Sequence, residues 1–299
     1  MDGPRDPKSS WNADSILITG LVRDSARNLC SEVSRLEEHA KKIFGSVSFY
    51  VVESDSSDNT LSVLRNLRNS KHNFEFTSLG NLSFSYPDRF TRLMFCRNRY
   101  VQFIKELSFL EKPKYIMVVD FDIKNNCLNL NPLQTLLTHS WWDGLFVNQR
   151  GRYYDILALR KKGWVEEDCF QEYHRLAKSL KREEAKEQAI WSKMIKIPRS
   201  SPIIEVKSAF GGLAIYRSEI FDKFDYSNEL KDSRLESEHI SLHKKITNSG
   251  GKLFIVPEMT NFAYSPHNLS SFRLFRRVDR FLKLAFFRGF RRMFRRLLA

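Results

Sequence analysis

The chain has 299 residues, 42% of them hydrophobic and 13% aromatic, with 24 Phe. That apolar content supplies a large core and excludes a disordered chain. Lys and Arg total 49 against 35 acids, a formal charge of +14, and no apolar run approaches the ~20 residues of a membrane span. Met1 to Asn12 is polar with no apolar stretch, which predicts a loose tail over 1–14 and no secretory signal. Cys30, Cys96, Cys127 and Cys169 lie far apart without a C-x-x-C pair. They suggest neither a zinc site nor a disulfide framework and fit a reducing cytosol.

Ser15-Ile-Leu-Ile-Thr19 reads as a buried strand ending at Gly20, followed by a helix over Ser25 to Phe44 with apolar Leu29, Val33, Leu36, Ala40 and Ile43 at helical spacing. Val47 to Val52 is a second strand. A helix then starts near Asn59, with Asp58 suited to cap it. Phe74 to Leu79 is a third strand, and Arg92 to Leu107 a helix. Tyr115 to Val119 is the most strongly β segment and runs directly into Asp120-Phe-Asp122. A short helix over Leu133 to Thr138 precedes a strand over Gly144 to Asn148.

Phe170 to Ile195 is a charged helical region, and Val165 to Met194 has the position and composition of a lid. Ile203 to Tyr216 reads as one strand interrupted by Gly211-Gly212. It is followed by a helix over His239 to Asn248 and a strand over Lys252 to Val256. Strands alternating with helices predict an α/β fold, a mainly parallel sheet flanked by helices. No Gly-, Ser- or Pro-rich linker divides the chain, so one domain over 15–268 is expected.

Residues 269–299 form a separate object. Ten Lys/Arg and one acid over 270–299 carry most of the net charge. Phe275, Val278, Leu282, Phe286, Phe290 and Leu297 recur at helical spacing between the arginines. A basic amphipathic helix of this kind suits an anionic membrane surface. A helix packed on the body and a nucleic-acid arm are the alternatives. The stripe of phenylalanines makes nucleic acid the poorer fit.

The sharpest chemical feature is Asp120-Phe-Asp122. Two aspartates closing an apolar strand are unfavourable for the strand itself. At the carboxyl end of a strand in an open α/β sheet they occupy the usual ligand position. A carboxylate pair there suits a hard divalent cation that bridges a diphosphate. The bland reading is a turn-forming acid at a strand end. Glu53-Ser-Asp55 places acids at the end of the second strand, as ribose or base contacts or simply as acids at a helix N-terminus. Arg23, Arg97 and Arg99 are candidate diphosphate contacts. Gly211 and Gly212 mark a bulge or a close approach by ligand or backbone. Glu238, beside His239 and near Glu236, is positioned as a general base or as a helix N-terminal acid. His267, after the last strand, is a third metal ligand or a structural histidine.

These parts in this order resemble a GT-A glycosyltransferase. The resemblance rests on Ile16 to Arg23, on Val51-Val-Glu-Ser-Asp-Ser-Ser-Asp-Asn-Thr60 and on Val118-Val-Asp-Phe-Asp122. Tyr153 to Arg160, Phe210 to Tyr216 and Glu238-His239 look closest to the branch with fungal capsule and cell-wall mannosyltransferases and their bacterial relatives. The resemblance implies a GDP- or UDP-sugar donor, Mn2+ or Mg2+, and a saccharide or lipid-linked acceptor. It implies metal contacts from Asp120, Asp122 and His267, nucleoside contacts from Glu53 and Asp55, acceptor contacts from Asp155, Gly211 and Gly212, and a base at Glu238, with Arg23 and Arg97 as the donor-binding cations read from their positions above. The acid is followed here by His239 where the family commonly has Asp. The expected location is cytoplasmic, peripheral on the inner membrane face. The competing expectations are a sugar nucleotidyltransferase, for which Gly20-Leu-Val-Arg-Asp24 is a poor glycine-rich loop, and a non-catalytic nucleic-acid or membrane-surface protein using the arginine tail.

Overall fold

The computed structural model describes residues 15–108, 112–122, 125–227 and 237–262. Strands β1 (Ser15–Val22), β2 (Ser46–Glu53), β3 (Phe74–Ser78), β4 (Tyr115–Val119), β5 (Gly144–Asn148), β6 (Ile204–Val206), β7 (Leu213–Arg217) and β8 (Leu253–Thr260) form an eight-stranded sheet ordered β3-β2-β1-β4-β7-β5-β8-β6. The helices are α1 (Leu29–Lys41), α2 (Thr60–Ser70), α3 (Arg89–Glu106), α4 (Leu133–Leu136), α5 (Cys169–Leu176), α6 (Arg182–Ala189), α7 (Glu219–Lys223) and α8 (Glu238–Asn248).

The period of two along each strand builds two cores. Ile16, Ile18, Phe49, Val51, Met117 and Val119 face α1 and α2 and bury Leu29, Val33, Leu36 and Leu64. Leu17, Tyr50, Val52, Ile116 and Val118 face the other way, onto Tyr100, Val101 and Ile104 of α3 and Leu242 and Ile246 of α8. All five residues of β4 are buried, because helices cover both faces of the sheet there.

Pairings β1–β2, β1–β4, β2–β3 and β5–β8 are parallel. The sheet is mainly parallel, as expected, with two antiparallel strands. Strand β7 lies antiparallel between β4 and β5, and β6 is antiparallel to β8. The single strand expected over Ile203 to Tyr216 is therefore two strands of a mixed sheet. The cause is local: Gly211 and Gly212 have φ of 72° and 88° and turn the chain into β7. A Cβ on Gly211 would also sit 2.9 Å from Gln149 Nε2 and from the Val147 carbonyl, so only glycine fits this left-handed position.

Among the described residues no helix is long and apolar enough to cross a membrane. The expected N-terminal tail, His267 and the amphipathic helix over 270–299 lie outside the described residues.

Candidate active site

A cleft of about 390 Å³ opens at the carboxyl ends of β1, β2 and β4. Its walls carry Arg23, Asp55, Arg97, Asp120, Asp122, Asp155 and Glu238, which the fold draws together from separate loops and helices. Glu53, Gly211 and Gly212 do not line it.

Asp120 and Asp122 leave the end of β4 around Phe121, whose fully buried ring anchors the turn between them. The Asp120 amide donates to the Gly212 carbonyl (3.0 Å), so β7 holds the backbone of the aspartate pair. Burial pushes the Asp120 carboxyl up to about 8, and the neighbouring charge of Asp122 adds to the rise. Arg97 opposes it from 3.6 Å. Asp122 is exposed.

Arg97 is the electrostatic centre of the site. Its side chain is 5% exposed and donates through Nε to Glu238 Oε1 at 2.7 Å. The guanidinium also packs against the rings of Phe210 (5.4 Å) and Tyr226 (5.7 Å). One buried cation thus joins the aspartate pair to the expected base. It leaves Glu238 Oε2 as the carboxylate oxygen outside that ion pair. Arg99 does not reach the cleft.

The acidic loop after β2 serves the fold more than the sequence suggests. Glu53 is 1% exposed and accepts from the Ser56 amide (3.0 Å) and the Ser78 hydroxyl, which ties β2 to β3. Its position removes it from ligand contact. Asp55 lines the cleft but its Oδ1 accepts from the Leu82 and Ser83 amides at 2.9 and 2.8 Å. Its Oδ2 faces Arg92 at 3.7 Å. Burial raises its pKa, but these hydrogen bonds and Arg92 prevail and hold the carboxyl below its ordinary value. Asp58 accepts from the Thr60 and Ala26 amides and so clamps the first loop to the start of α2. Arg23 is half exposed beside Asp24.

Asp155 is placed by the glycine turn. Its Oδ2 accepts from the Gly211 amide at 3.0 Å, and burial raises its pKa. The Gly211 carbonyl is held in turn by Gln149 Nε2 (3.0 Å) and Asn261 Nδ2 (2.9 Å). The glycines therefore support Asp155 from behind, and Tyr154 and Phe210 line the wall itself. None of residues 165–194 lines the cleft. The expected lid instead packs on the body, with the Trp164 ring N–H on the Lys193 carbonyl (2.7 Å) and a buried Arg160–Asp168 pair (3.2 Å).

Arg89, Arg92, Leu93 and Cys96 also line the cleft. Together with Arg97 they fall at i, i+3, i+4, i+7 and i+8, one face of α3, and that spacing was the signal available for finding them.

The donor chemistry of the Asp120–Asp122 pair fits a hard divalent ion. Two carboxylates crowd there, and Asp120 is driven toward its protonated form when Arg97 is the only opposing charge among its main influences. Among the described residues no group of three or more His, Cys, Asp or Glu converges as a metal cage. The pair therefore suits an ion that takes further oxygens from a ligand. Gly20 is part of β1, and a Cβ there would lie 2.0 Å from the Val119 carbonyl. It permits close strand packing and is not a phosphate loop.

No family model matches the chain, and no curated protein matches it by sequence. Among solved structures it is similar to a mannosyltransferase from Pyrobaculum calidifontis in complex with GDP-Man and Mn2+, with 12% identity over 84% of this chain and a TM-score of 0.47. This chain spans 57% of that protein's length. It is also similar to S. aureus TarS 1-349, with 14% identity, 87% of this chain, 64% of that one and a TM-score of 0.45. The UDP complex of glucosyl-3-phosphoglycerate synthase from Mycobacterium tuberculosis shows 11% identity, 88% and 76% coverage and a TM-score of 0.43.

Proposed function

We propose that this chain is a glycosyltransferase that moves a hexosyl group from a GDP- or UDP-sugar to a saccharide or lipid-linked saccharide, assisted by Mn2+ or Mg2+. One observation carries the reading. The aspartate pair at the end of β4 opens into the same cleft as Arg23, Arg97, Asp155 and Glu238. Carboxylates for a cation, guanidinium groups for phosphates and a paired glutamate for a hydroxyl are the parts this transfer requires.

The acceptor oxygen forms a bond to the anomeric carbon as the bond to the diphosphate oxygen breaks. The hydroxyl proton passes to Glu238 Oε2, and the nucleoside diphosphate departs. Arg97 orients Glu238 through Oε1. Arg23 and Arg92 face the diphosphate, and Asp55 borders the nucleoside end. Asp155 and Phe210 face the acceptor. Asp120 and Asp122, with His267, would hold the divalent ion, which supplies Lewis acidity toward the leaving diphosphate.

The finer assignment is to the branch with fungal capsule and cell-wall mannosyltransferases. It rests on the Tyr153–Arg160, Phe210–Tyr216 and Glu238-His239 motifs. The basic stripe over 270–299 supports attachment to an anionic membrane at the inner face. Flotation with anionic liposomes tests it: equal recovery of the full chain and of a chain ending near Ser270 removes that part.

The direct test of the enzyme reading is a thermal-shift screen of sugar nucleotides with Mn2+, followed by transfer assays. At least one GDP- or UDP-sugar should stabilise the protein. Asp122→Ala should abolish transfer while leaving thermal stability within about 0.5 kcal/mol, because the side chain is exposed. Full activity in that variant, or no stabilisation by any sugar nucleotide, would sink the assignment.

A further inference from the structure

Strand β6 closes one edge of the sheet, and two grooves of about 440 and 650 Å³ flank Lys161 and Lys162 beside it. The first groove also carries Lys207 and Lys252, the second Lys193 and Lys196. Neither shares a lining residue with the cleft. Among the described residues the ammonium group of none of these six lysines is paired with an acid, whereas those of Lys41, Lys42, Lys71 and Lys245 each are. Glu205 is the acid that lines the first groove, and none lines the second. Ile195 and Ile203 stand among the lysines 44% and 38% exposed. Like charges without counter-ions repel one another, and apolar side chains left in water stabilise nothing, so this surface suits a covering partner more than open solvent. The loop over 150–155 joins it to the cleft and to the end of the described chain. The Arg150 amide donates to the Phe262 carbonyl (3.0 Å), the Arg152 guanidinium to the Met194 carbonyl (3.1 Å) and the Tyr153 amide to the Ile195 carbonyl (2.8 Å). Tyr154 and Asp155, next in sequence, line the cleft. The chain after Phe262, which carries the basic stripe over 270–299, thus departs beside the lysines.

We infer that this lysine and isoleucine surface docks on an anionic lipid bilayer, with the lysines over the headgroups and Ile195 and Ile203 in the interface. The inference deepens the membrane part of the proposal above, in which the stripe over 270–299 alone attaches the chain. Charge complementarity is the first argument, since six unneutralised lysines face outward from one edge of the body. Lysine also suits an interface mechanically: its methylene stem lies along apolar surface while the ammonium reaches the headgroups. Nucleic acid is the poorer partner, because bases need exposed aromatic faces to stack on. The exposed apolar side chains here are aliphatic, and the Trp164 ring is already taken, edge-on to Tyr153 with its N–H on the Lys193 carbonyl. Two attachments on one body, the surface and the stripe, multiply their affinities and fix the orientation of the domain. Docking this way sets the Tyr154–Asp155 wall of the cleft beside the membrane, where a lipid-linked acceptor would be presented.

The test measures partitioning of the full chain onto sedimented phosphatidylcholine vesicles with and without phosphatidylserine. One variant carries Lys161→Gln, Lys162→Gln, Lys193→Gln and Lys196→Gln together. A second carries Ile195→Ser and Ile203→Ser and keeps every lysine. A charge-matched control carries Arg27→Gln, Lys42→Gln, Arg65→Gln and Arg68→Gln, on the α1 and α2 side of the sheet. A lysine at an anionic surface strengthens partitioning about fivefold, so the lysine variant should bind the phosphatidylserine vesicles at least about tenfold more weakly. The isoleucine variant should also bind more weakly, and the control should stay close to the wild type. The lysine variant should melt no lower than the wild type, because no ion pair is removed. Equal losses in the lysine variant and the control would mean that net charge alone acts, and would overturn the inference. An isoleucine variant that partitions like the wild type overturns it too, as does a wild type that binds duplex DNA through these lysines and ignores the vesicles. An unchanged lysine variant, with binding lost in a chain ending near Ser270, overturns this surface and leaves the stripe as the attachment. A wild type that does not partition at all removes both, a separate result.

Discussion

Replacing Arg97 is the most informative perturbation of the cleft's electrostatics. Arg97→Met keeps the volume and removes the charge. It leaves Glu238 without its 2.7 Å partner and Asp120 without the cation at 3.6 Å. Breaking a buried pair by deleting one partner costs about 3–5 kcal/mol, because the remaining charge is stranded in a poorly solvated place. The lost contacts to Phe210 and Tyr226 fall within that range. For a domain of this size the melting temperature should fall by roughly 6–20 °C. The assay is thermal and urea unfolding of Arg97→Met, Glu238→Gln and the double variant. If the stranded charge is the cause, Glu238→Gln should recover part of the loss, with a coupling of at least about 1 kcal/mol. A loss below ~1 kcal/mol with no coupling refutes the claim that Arg97 is the central counter-ion.

Three further outcomes follow from the same geometry. In protein stripped of divalent ions, Asp120 holds a proton when folded, its carboxyl raised to about 8, and releases it when unfolded. Stability contributed by this group is complete below the unfolded value near 4 and falls as pH rises toward 8, and Asp120→Asn should flatten that slope in melts with EDTA. Glu37 is the opposite case: burial pushes its pKa up, but hydrogen bonds from Lys41, Lys71 and Asn73 overrule it and bring it down to about 2. Its stability is present above the unfolded value of 4.5 and lost as pH falls toward 2, about 3 kcal/mol in all, and Glu37→Gln should erase that acid limb in urea unfolding. Gly211→Ala should cost about 1–3 kcal/mol in thermal unfolding from its positive φ and the 2.9 Å contacts. It should also weaken transfer, since Asp155 loses its seat, and unchanged stability would show that the turn relaxes.

The sheet's parallel half was legible because its strands are continuous apolar runs. Tyr115–Val119 and Gly144–Asn148 match the expected strands residue for residue. The antiparallel strand β7 was not, because glycines within an apolar run signal a bulge and a chain reversal alike. Only their φ values decide. Helix α7 spans five residues, too few to establish a period.

In the site, the acids and Arg97 were readable from their place after strands and on the preceding helix. Glu53 misled for the same reason it looked attractive: an acid at a strand end serves a neighbouring loop as readily as a ligand. Arg92 shares a helix face with Arg97, but that this face opens into the cleft is a tertiary fact.

The central claim is that Asp120 and Asp122 grip a divalent ion against a nucleoside diphosphate. Crystals grown with Mn2+ and GDP or UDP, with anomalous data collected near the manganese edge, test it directly. The account predicts a peak between the two carboxylates and the diphosphate, absent in Asp122→Ala. Nucleotide bound in the cleft with no anomalous peak beside that pair would contradict it.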